Sequence, residues 1–493
     1  MSTKSDDLAA ESTVDVIAPR PRLLINNEYV DAKSRKTFAT YNPATGRLVA
    51  DVAEAGPADV DLAVAAARQA YESGHWGRAS PAERGMFLRR FAALIEANVD
   101  HLAHLETLDS GMTIHTARGM IAGSIDTLLH FAGAASAIHG MTPQSGANAL
   151  HYSLREPVGV VGSIVPWNAP ITNAIWKLGP ALAAGNTIIL KPAELTPLTA
   201  LRLGELLLEA DMPPGVVNIL PGYGIGAGDS LANHRGIDKV SFTGSTEVGK
   251  SILRASAGDL KHVSLELGGK TPLVVFADAD LASAVSTAVA AFTTLSGQIC
   301  TAGSRLLVQR GIYDEFVDRL AAKVESLVVG DPLGDSTDVG PLVSSGQRDR
   351  VVSYLASGRE TGAITVAGGD AIPGNGYFVA PTVFTGVKNT MRVAREEIFG
   401  PVVSVIPFDD DNDAVALAND TPYGLAASLW TQNLSRAHRI TRQLKSGTVW
   451  VNTWGGLDPT MPFGGYKQSG IGREFGLDWY YAYTENKAVY VSL

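Results

Sequence analysis

The chain has 493 residues, long enough for two or three domains with sizeable cores. Its net charge of −10 leaves no basic face to neutralise a run of phosphates, so nucleic acid is not expected as a partner. Hydrophobic residues make up 45%, and the only cysteine, Cys300, excludes intrachain disulfides and multi-cysteine metal sites. A reducing, cytoplasmic setting without a bound metal is the expectation.

Residues 1–20 carry Asp6, Asp7, Glu11 and Asp15 without an apolar run, and read as a disordered tail rather than a targeting peptide. The stretch 157–176 has no charged residue, but Pro166, Asn168, Pro170 and Asn173 interrupt it. It therefore reads as a buried strand followed by a loop, and no membrane span is expected. From there β-branched runs at 160–165, 187–190 and 239–242 alternate with helical spacing, as in Leu198, Leu201, Leu203, Leu206 and Leu207 after Pro197. Strand–helix alternation of this kind predicts an α/β fold with parallel sheets covered on both faces, and points first to nucleotide binding. A second α/β unit is expected from about residue 270. It begins with a strand at 273–276 and a helix capped by Asp280, whose face is Leu281, Ala284, Val285, Ala288, Ala291, Phe292 and Leu295. That helix is expected to stop at Ser296-Gly297, followed by a strand at 305–308 and a helix over 313–329, with a cleft between the two units.

Cys300 sits in a small, polar, glycine-flanked loop, Ser296 to Gly303, between a helix and a strand. A free cysteine is more often an inert buried group, and as a nucleophile it needs surroundings that favour the thiolate. Glu266 ends a strand before Leu267-Gly268-Gly269-Lys270. It suits a general base among apolar neighbours, but taken alone reads first as a strand-end carboxylate paired with Lys270 or solvated. Asn168, between Pro166 and Pro170, can donate to a developing oxyanion or simply stabilise a turn. Two glycine patterns compete as phosphate sites. Gly222 to Ala227 matches G-x-G-x-x-A, while Gly244 to Gly249 follows a strand and opens a helix, which favours the latter. Lys191 and Glu194 at a strand end can hydrogen-bond a ribose diol, or form a surface ion pair.

Taken in order, Pro166-Trp167-Asn168, Lys191-Pro192-Ala193-Glu194, Phe242-Thr243-Gly244-Ser245, Leu265 to Lys270 and Gly297-Gln298-Ile299-Cys300 resemble the aldehyde dehydrogenase superfamily. Glu396 to Pro401, Asn452 and Pro462 to Lys467 with Ser469-Gly470 extend the resemblance from about Leu24 to the C-terminus. It implies two Rossmann-like three-layer domains. The coenzyme domain would be split over 21–137 and 158–268, and the catalytic domain would span 269–468. An oligomerisation element would combine a hairpin near 138–157 with a strand at 482–493, giving a homodimer or homotetramer. It further implies that Cys300 attacks an aldehyde, that Asn168 and the Cys300 N–H hold the oxyanion, and that Glu266 activates the water that hydrolyses a thioester. Lys177 and Glu474 would carry protons away from Glu266. Lys191 and Glu194 would hold the adenosine ribose, Gly244, Ser245 and Gly249 the pyrophosphate, and Glu397 and Phe399 the nicotinamide half. Ile164, Val165, Trp167 and Leu267 would also line the cofactor.

Glu194 would repel a 2′-phosphate, which favours NAD over NADP. Glu266 favours release of a free acid over transfer to coenzyme A. The resemblance places the acceptor tunnel at Ala169, Asn173, Trp176, Thr294 and Ile299, with Thr301, Trp454, Leu457 and Phe463. That lining has no acidic or basic side chain and suits an uncharged aromatic or medium-chain, bulky aliphatic aldehyde. Asn452-Thr453-Trp454-Gly455 looks like the segment in betaine aldehyde dehydrogenases, but Ala169 and Thr294 stand where further cage rings often lie, so a betaine or amino aldehyde ranks second. A thioester hydrolase and a catalytically silent binding or structural protein on the same fold are the remaining alternatives.

Overall fold

The computed structural model describes residues 19–493, and all but the last two positions of the expected tail lie outside them. Two large sheets organise the described chain. The first runs in the order Gly470–Ile471, His262–Glu266, Lys239–Thr243, Val160–Ile164, Thr187–Lys191, Val217–Ile219, Leu23–Ile25 and Glu28–Val30. Its five middle strands are parallel, and antiparallel strands flank them on both sides. Every residue of Val160–Ile164 and Thr187–Lys191 is buried, as continuous apolar runs in a sheet covered on both faces require.

Chain order reverses around Val160–Ile164, because the next strands lie on one side (Thr187–Lys191, then Val217–Ile219) and the later ones on the other (Lys239–Thr243, then His262–Glu266). Loops leaving neighbouring strands diverge at such a reversal and open a crevice at their C-terminal ends. Asn168 follows one of these strands, Gly244 follows its neighbour, and Glu266 ends the third.

The second sheet runs Ile364–Ala367, Thr382–Thr385, Val402–Phe408, Arg305–Gln309, Pro272–Val275, Ala426–Trp430 and Thr448–Val451, parallel apart from the first strand. Asp280 caps the helix Leu281–Thr293 through the N–H groups of Ala282 and Ser283, as expected. The helix ends earlier than its apolar spacing suggests, because Leu295 and Ser296 adopt left-handed backbone at φ 53° and 55° and turn the chain toward Cys300. The helix expected over 313–329 likewise stops early, at Tyr313–Glu325.

A third, small sheet pairs Ala149–Pro157 with Thr484–Ser492 in antiparallel register, from Thr484 opposite Pro157 to Ser492 opposite Ala149. The expected hairpin at 138–157 is thus a single strand whose partner comes from the far C-terminal segment. Residues 138–148 form no strand but bond to it at Ser153, whose N–H donates to the Met141 carbonyl at 2.8 Å and whose hydroxyl accepts from the Met141 N–H at 2.9 Å.

Candidate active site

The crevice of the first sheet opens into a cavity of about 510 Å³ that reaches the Cys300 loop. Cys300 lies at its wall, partly exposed to it. The loop is held on several sides. The Ser296 hydroxyl donates to the Gly340 carbonyl at 2.8 Å, Gln298 Oε1 accepts from the Val343 N–H at 3.0 Å, and the Gly303 N–H donates to the Ala291 carbonyl at 2.9 Å. The Trp454 indole N–H donates to the Thr301 carbonyl at 2.9 Å. From beneath, Gly269 approaches so closely that a Cβ there would lie 2.4 Å from the Cys300 carbonyl oxygen.

Asn168 reaches this loop: its Nδ2 donates to the Gln298 carbonyl at 2.9 Å, which uses one of its two amide hydrogens and leaves the other for a ligand. Glu266 lines the same cavity at 4% exposure, and neither carboxylate oxygen has a partner. It is therefore not paired with Lys270, whose buried ammonium also lacks a hydrogen-bond partner. Burial and the charge of Glu474 hold the Glu266 carboxyl well above its usual range, against the pull of Lys177 and Arg473. Burial likewise pushes the Cys300 thiol up to about 12. Glu397 and Glu266 add to that rise, and its own N–H and that of Thr301 oppose it. Behind Glu266, Lys177 and Glu474 form a buried ion pair.

On the opposite wall, Glu397 Oε1 accepts from the Gly269 N–H at 2.9 Å, and burial lifts its carboxyl to about 7. Phe399, at φ 60°, stands edge-on to Trp167 with ring centroids 5.2 Å apart. Two residues with no sequence signature hold this segment. Gln347 donates to the Phe399 carbonyl at 2.7 Å and Arg350 to the Glu397 carbonyl at 2.8 Å, and both line the cavity. Their work is on backbone oxygens, which no motif records.

The remaining nucleotide-site candidates lie along the strand ends. Ser245 caps the helix Thr246–Ser256 and lines the cavity with Gly244. Gly249 abuts Leu267, where a Cβ would lie 2.6 Å from Leu267 Cδ2. The Val165 N–H donates to the Lys191 carbonyl at 3.1 Å, extending the pairing of Ile164 with Lys191. Lys191 Nζ donates to the Pro192 carbonyl at 2.7 Å and lies 3.9 Å from Glu194 Oε2, and burial lowers its ammonium to about 8. Of the two glycine patterns, the favoured one brings Gly244 to the cavity, while Gly222 of the other packs against Ala55 and Gly228, just past it, against the Lys191 side chain.

Of the proposed tunnel residues, Ala169, Asn173, Trp176, Ile299, Thr301, Leu457 and Phe463 line the cavity, whereas Thr294 and Trp454 do not. The left-handed turn gives that place to Leu295, and Trp454 stands behind the wall, bound to Thr301. Met120, Thr127, Trp450 and Phe475, which carry no signal in the sequence, are among the other residues of the lining. Among the described residues no cluster of His, Cys, Asp or Glu could hold a metal, and no helix is long and apolar enough to cross a membrane.

The chain as a whole has close counterparts among known proteins. The family model described as "Aldehyde dehydrogenase family" matches residues 29–489. An aldehyde dehydrogenase of Emericella nidulans is 47% identical over 472 residues, covering 96% of this chain and 95% of its own. The structure of the P. syringae indole-3-acetaldehyde dehydrogenase AldA with NAD+ and IAA has a TM-score of 0.95 at 47% identity, covering 96% of this chain and 97% of that one. The NAD+ complex of a Bacillus cereus aldehyde dehydrogenase has a TM-score of 0.96 at 45% identity, covering 99% of both chains. The chain belongs to the aldehyde dehydrogenase family.

Proposed function

We propose that the protein oxidises an uncharged aromatic or medium-chain, bulky aliphatic aldehyde to the free carboxylic acid with NAD. The observation that carries this reading is the convergence of Cys300, Asn168 and Glu266 on one cavity. Asn168 is bonded two residues before the thiol, and the Glu266 oxygens are left without partners. The residues fit a dinucleotide. The unpartnered Thr243 hydroxyl, the Ser245-capped helix start and the Lys191–Glu194 pair offer donors and acceptors along the strand ends. Relatives at 45–47% identity have been seen with NAD+. A bound dinucleotide supplies the hydride acceptor. NAD is favoured over NADP because Glu194 would repel a 2′-phosphate.

The protein's own groups account for the rest. Cys300 thiolate adds to the aldehyde carbon, and the free Asn168 amide hydrogen and the Cys300 N–H receive the oxyanion. Loss of hydride leaves a thioester on Cys300. Glu266, its carboxyl made a stronger base by burial, takes a proton from the water that hydrolyses it, and the Lys177–Glu474 pair behind it offers that proton a way out. The coenzyme unit would comprise 21–137 and 158–268, the catalytic unit 269–468, and the element 138–157 with 482–493 would meet a second copy of the chain.

The substrate assignment rests on an apolar lining of Ala169, Trp176, Ile299, Leu457, Phe463 and Phe475. The indole substrate named for the P. syringae relative fits it. The rings of Trp450 and Phe475 keep a quaternary ammonium aldehyde as a second reading. The test is NADH formation across a panel of aromatic, aliphatic and amino aldehydes, betaine aldehyde included. Cys300→Ala abolishes turnover, and Glu266→Gln retains a single-turnover burst followed by slow steady-state release. Undiminished turnover in Cys300→Ala would remove the covalent route. Preference for betaine aldehyde would select the second reading.

A further inference from the structure

Two carboxylates lie fully buried away from the cavity, with no cation among the groups that influence them. Glu106 and Asp109 stand one turn apart on the helix Val99–Ser110, each at 0% exposure. Each gives one oxygen to the start of a different helix. Glu106 Oε1 accepts from the Ile171 N–H at 3.0 Å, at the second residue of Pro170–Ala184. Asp109 Oδ2 accepts from the Leu198 N–H at 2.9 Å, at the first residue of Leu198–Glu209. Asp109 Oδ1 has no partner, and Glu106 Oε2 makes no close hydrogen bond, although the nearby Thr199 hydroxyl, on the second of the two helices, also acts on the Glu106 carboxyl.

Elsewhere in the molecule Ser80 and Asp280 cap their own helices from the surface without such a burial cost. What distinguishes the two helices served by Glu106 and Asp109 is the loop that precedes each. One loop carries Asn168 out of the strand Val160–Ile164, and the other carries Glu194 out of Thr187–Lys191. The loops are also tied to each other, since the Thr196 hydroxyl donates to the Trp167 carbonyl at 3.2 Å.

The geometry points to Glu106 and Asp109 as positioning residues that pin the Asn168 loop and the Glu194 loop to one rigid helix and so fix the aldehyde end of the site relative to the dinucleotide end. This rests on the function proposed above. Because the two carboxylates are one turn apart on a single helix, the spacing of the two helix starts is set by that helix rather than by the loops themselves. Glu106 acts on the oxyanion donor through Ile171, and Asp109 acts on the ribose-binding carboxylate through Leu198.

The test uses the full-length protein and two readouts: the rate of the aldehyde-dependent NADH burst, and the dissociation constant for NAD from quenching of tryptophan fluorescence. Glu106→Met removes the acceptor and is expected to slow the burst by about tenfold or more, with a smaller loss of NAD affinity. Asp109→Leu is expected to show the reverse, weakening NAD by about tenfold or more with a smaller effect on the burst. Glu106→Gln and Asp109→Asn keep an acceptor oxygen and are expected to recover most of each loss. If Glu106→Met does not fold, Glu106→Asp, which withdraws the oxygen by one methylene, takes its place. Equal losses in both readouts that follow a lowered melting temperature, or no loss in either, would overturn the assignment. A wild-type protein that binds NAD but gives no burst with any aldehyde would defeat the proposed function alone, and the Asp109 arm, read by binding, would still decide this inference.

Discussion

The surroundings of Cys300 oppose the thiolate, the form on which the proposed reaction depends. Burial, Glu397 and Glu266 all raise the thiol, and only two backbone N–H groups pull the other way. Burial raises the Glu397 carboxyl only to about 7, well below the thiol at about 12, so its negative charge weighs against the thiolate. Glu397→Gln keeps an oxygen to accept from Gly269 and deletes the charge. Removing a nearby negative charge stabilises the thiolate, so the pH midpoint for alkylation of Cys300 by iodoacetamide moves down in the variant. A midpoint that stays put or moves up would show that the Glu397 charge does not reach the sulfur. Cys300, Glu266 and Asn168 each read alone as more ordinary groups, and it was the fixed order of their motifs that singled them out as the candidates now found lining one cavity. Gln347 and Arg350 were not legible in the sequence, because any residue of similar reach could hold a backbone carbonyl.

At the scale of elements, several central strands of the two large sheets and one helix cap follow directly from the chain. Continuous β-branched runs gave the buried parallel strands, and Asp280 gave the start of Leu281–Thr293. The end of that helix was illegible for a physical reason. Leu295 continues the apolar spacing of Phe292, yet it and Ser296 sit in the left-handed region without being glycine, a conformation that only the surrounding packing imposes. Gly297 completes the turn at φ 72°, and a Cβ there would lie 2.2 Å from the Gly400 carbonyl oxygen and 2.7 Å from the Pro401 nitrogen. Two loops therefore meet backbone to backbone, one leading to Cys300 and the other leaving Glu397 and Phe399. Gly297→Ala must displace one of them, and with the added backbone strain is expected to cost about 2 kcal/mol or more of stability. The expected result is a lower thermal midpoint together with slowed burst kinetics. An alanine variant with wild-type melting would mean that this contact is looser than the backbone geometry indicates.

At the scale of the molecule, the two large sheets close their own cores, but the small sheet does not. Ala149–Pro157 and Thr484–Ser492 pair as strands only with each other; the outer edge of the first meets residues 138–148 at Ser153, that of the second has no strand partner among the described residues, and a two-stranded ribbon is marginal by itself in water. It is anchored at one end, where Glu485 meets His262 at 2.5 Å and Arg155 stacks over Tyr480 and Tyr481. Along its length Leu150, Leu154 and Tyr490 are exposed, the last at 76%. An open hydrogen-bonding edge beside exposed apolar side chains calls for a covering surface, and a second copy of the chain supplies an edge and side chains of the same kind. The full-length protein is therefore expected to sediment as a dimer or larger. Leu154→Lys combined with Tyr490→Lys places like charges on that surface without touching either large core. The double variant is expected to sediment as a smaller species while keeping its affinity for NAD. If its sedimentation is unchanged, the ribbon is not what joins the copies.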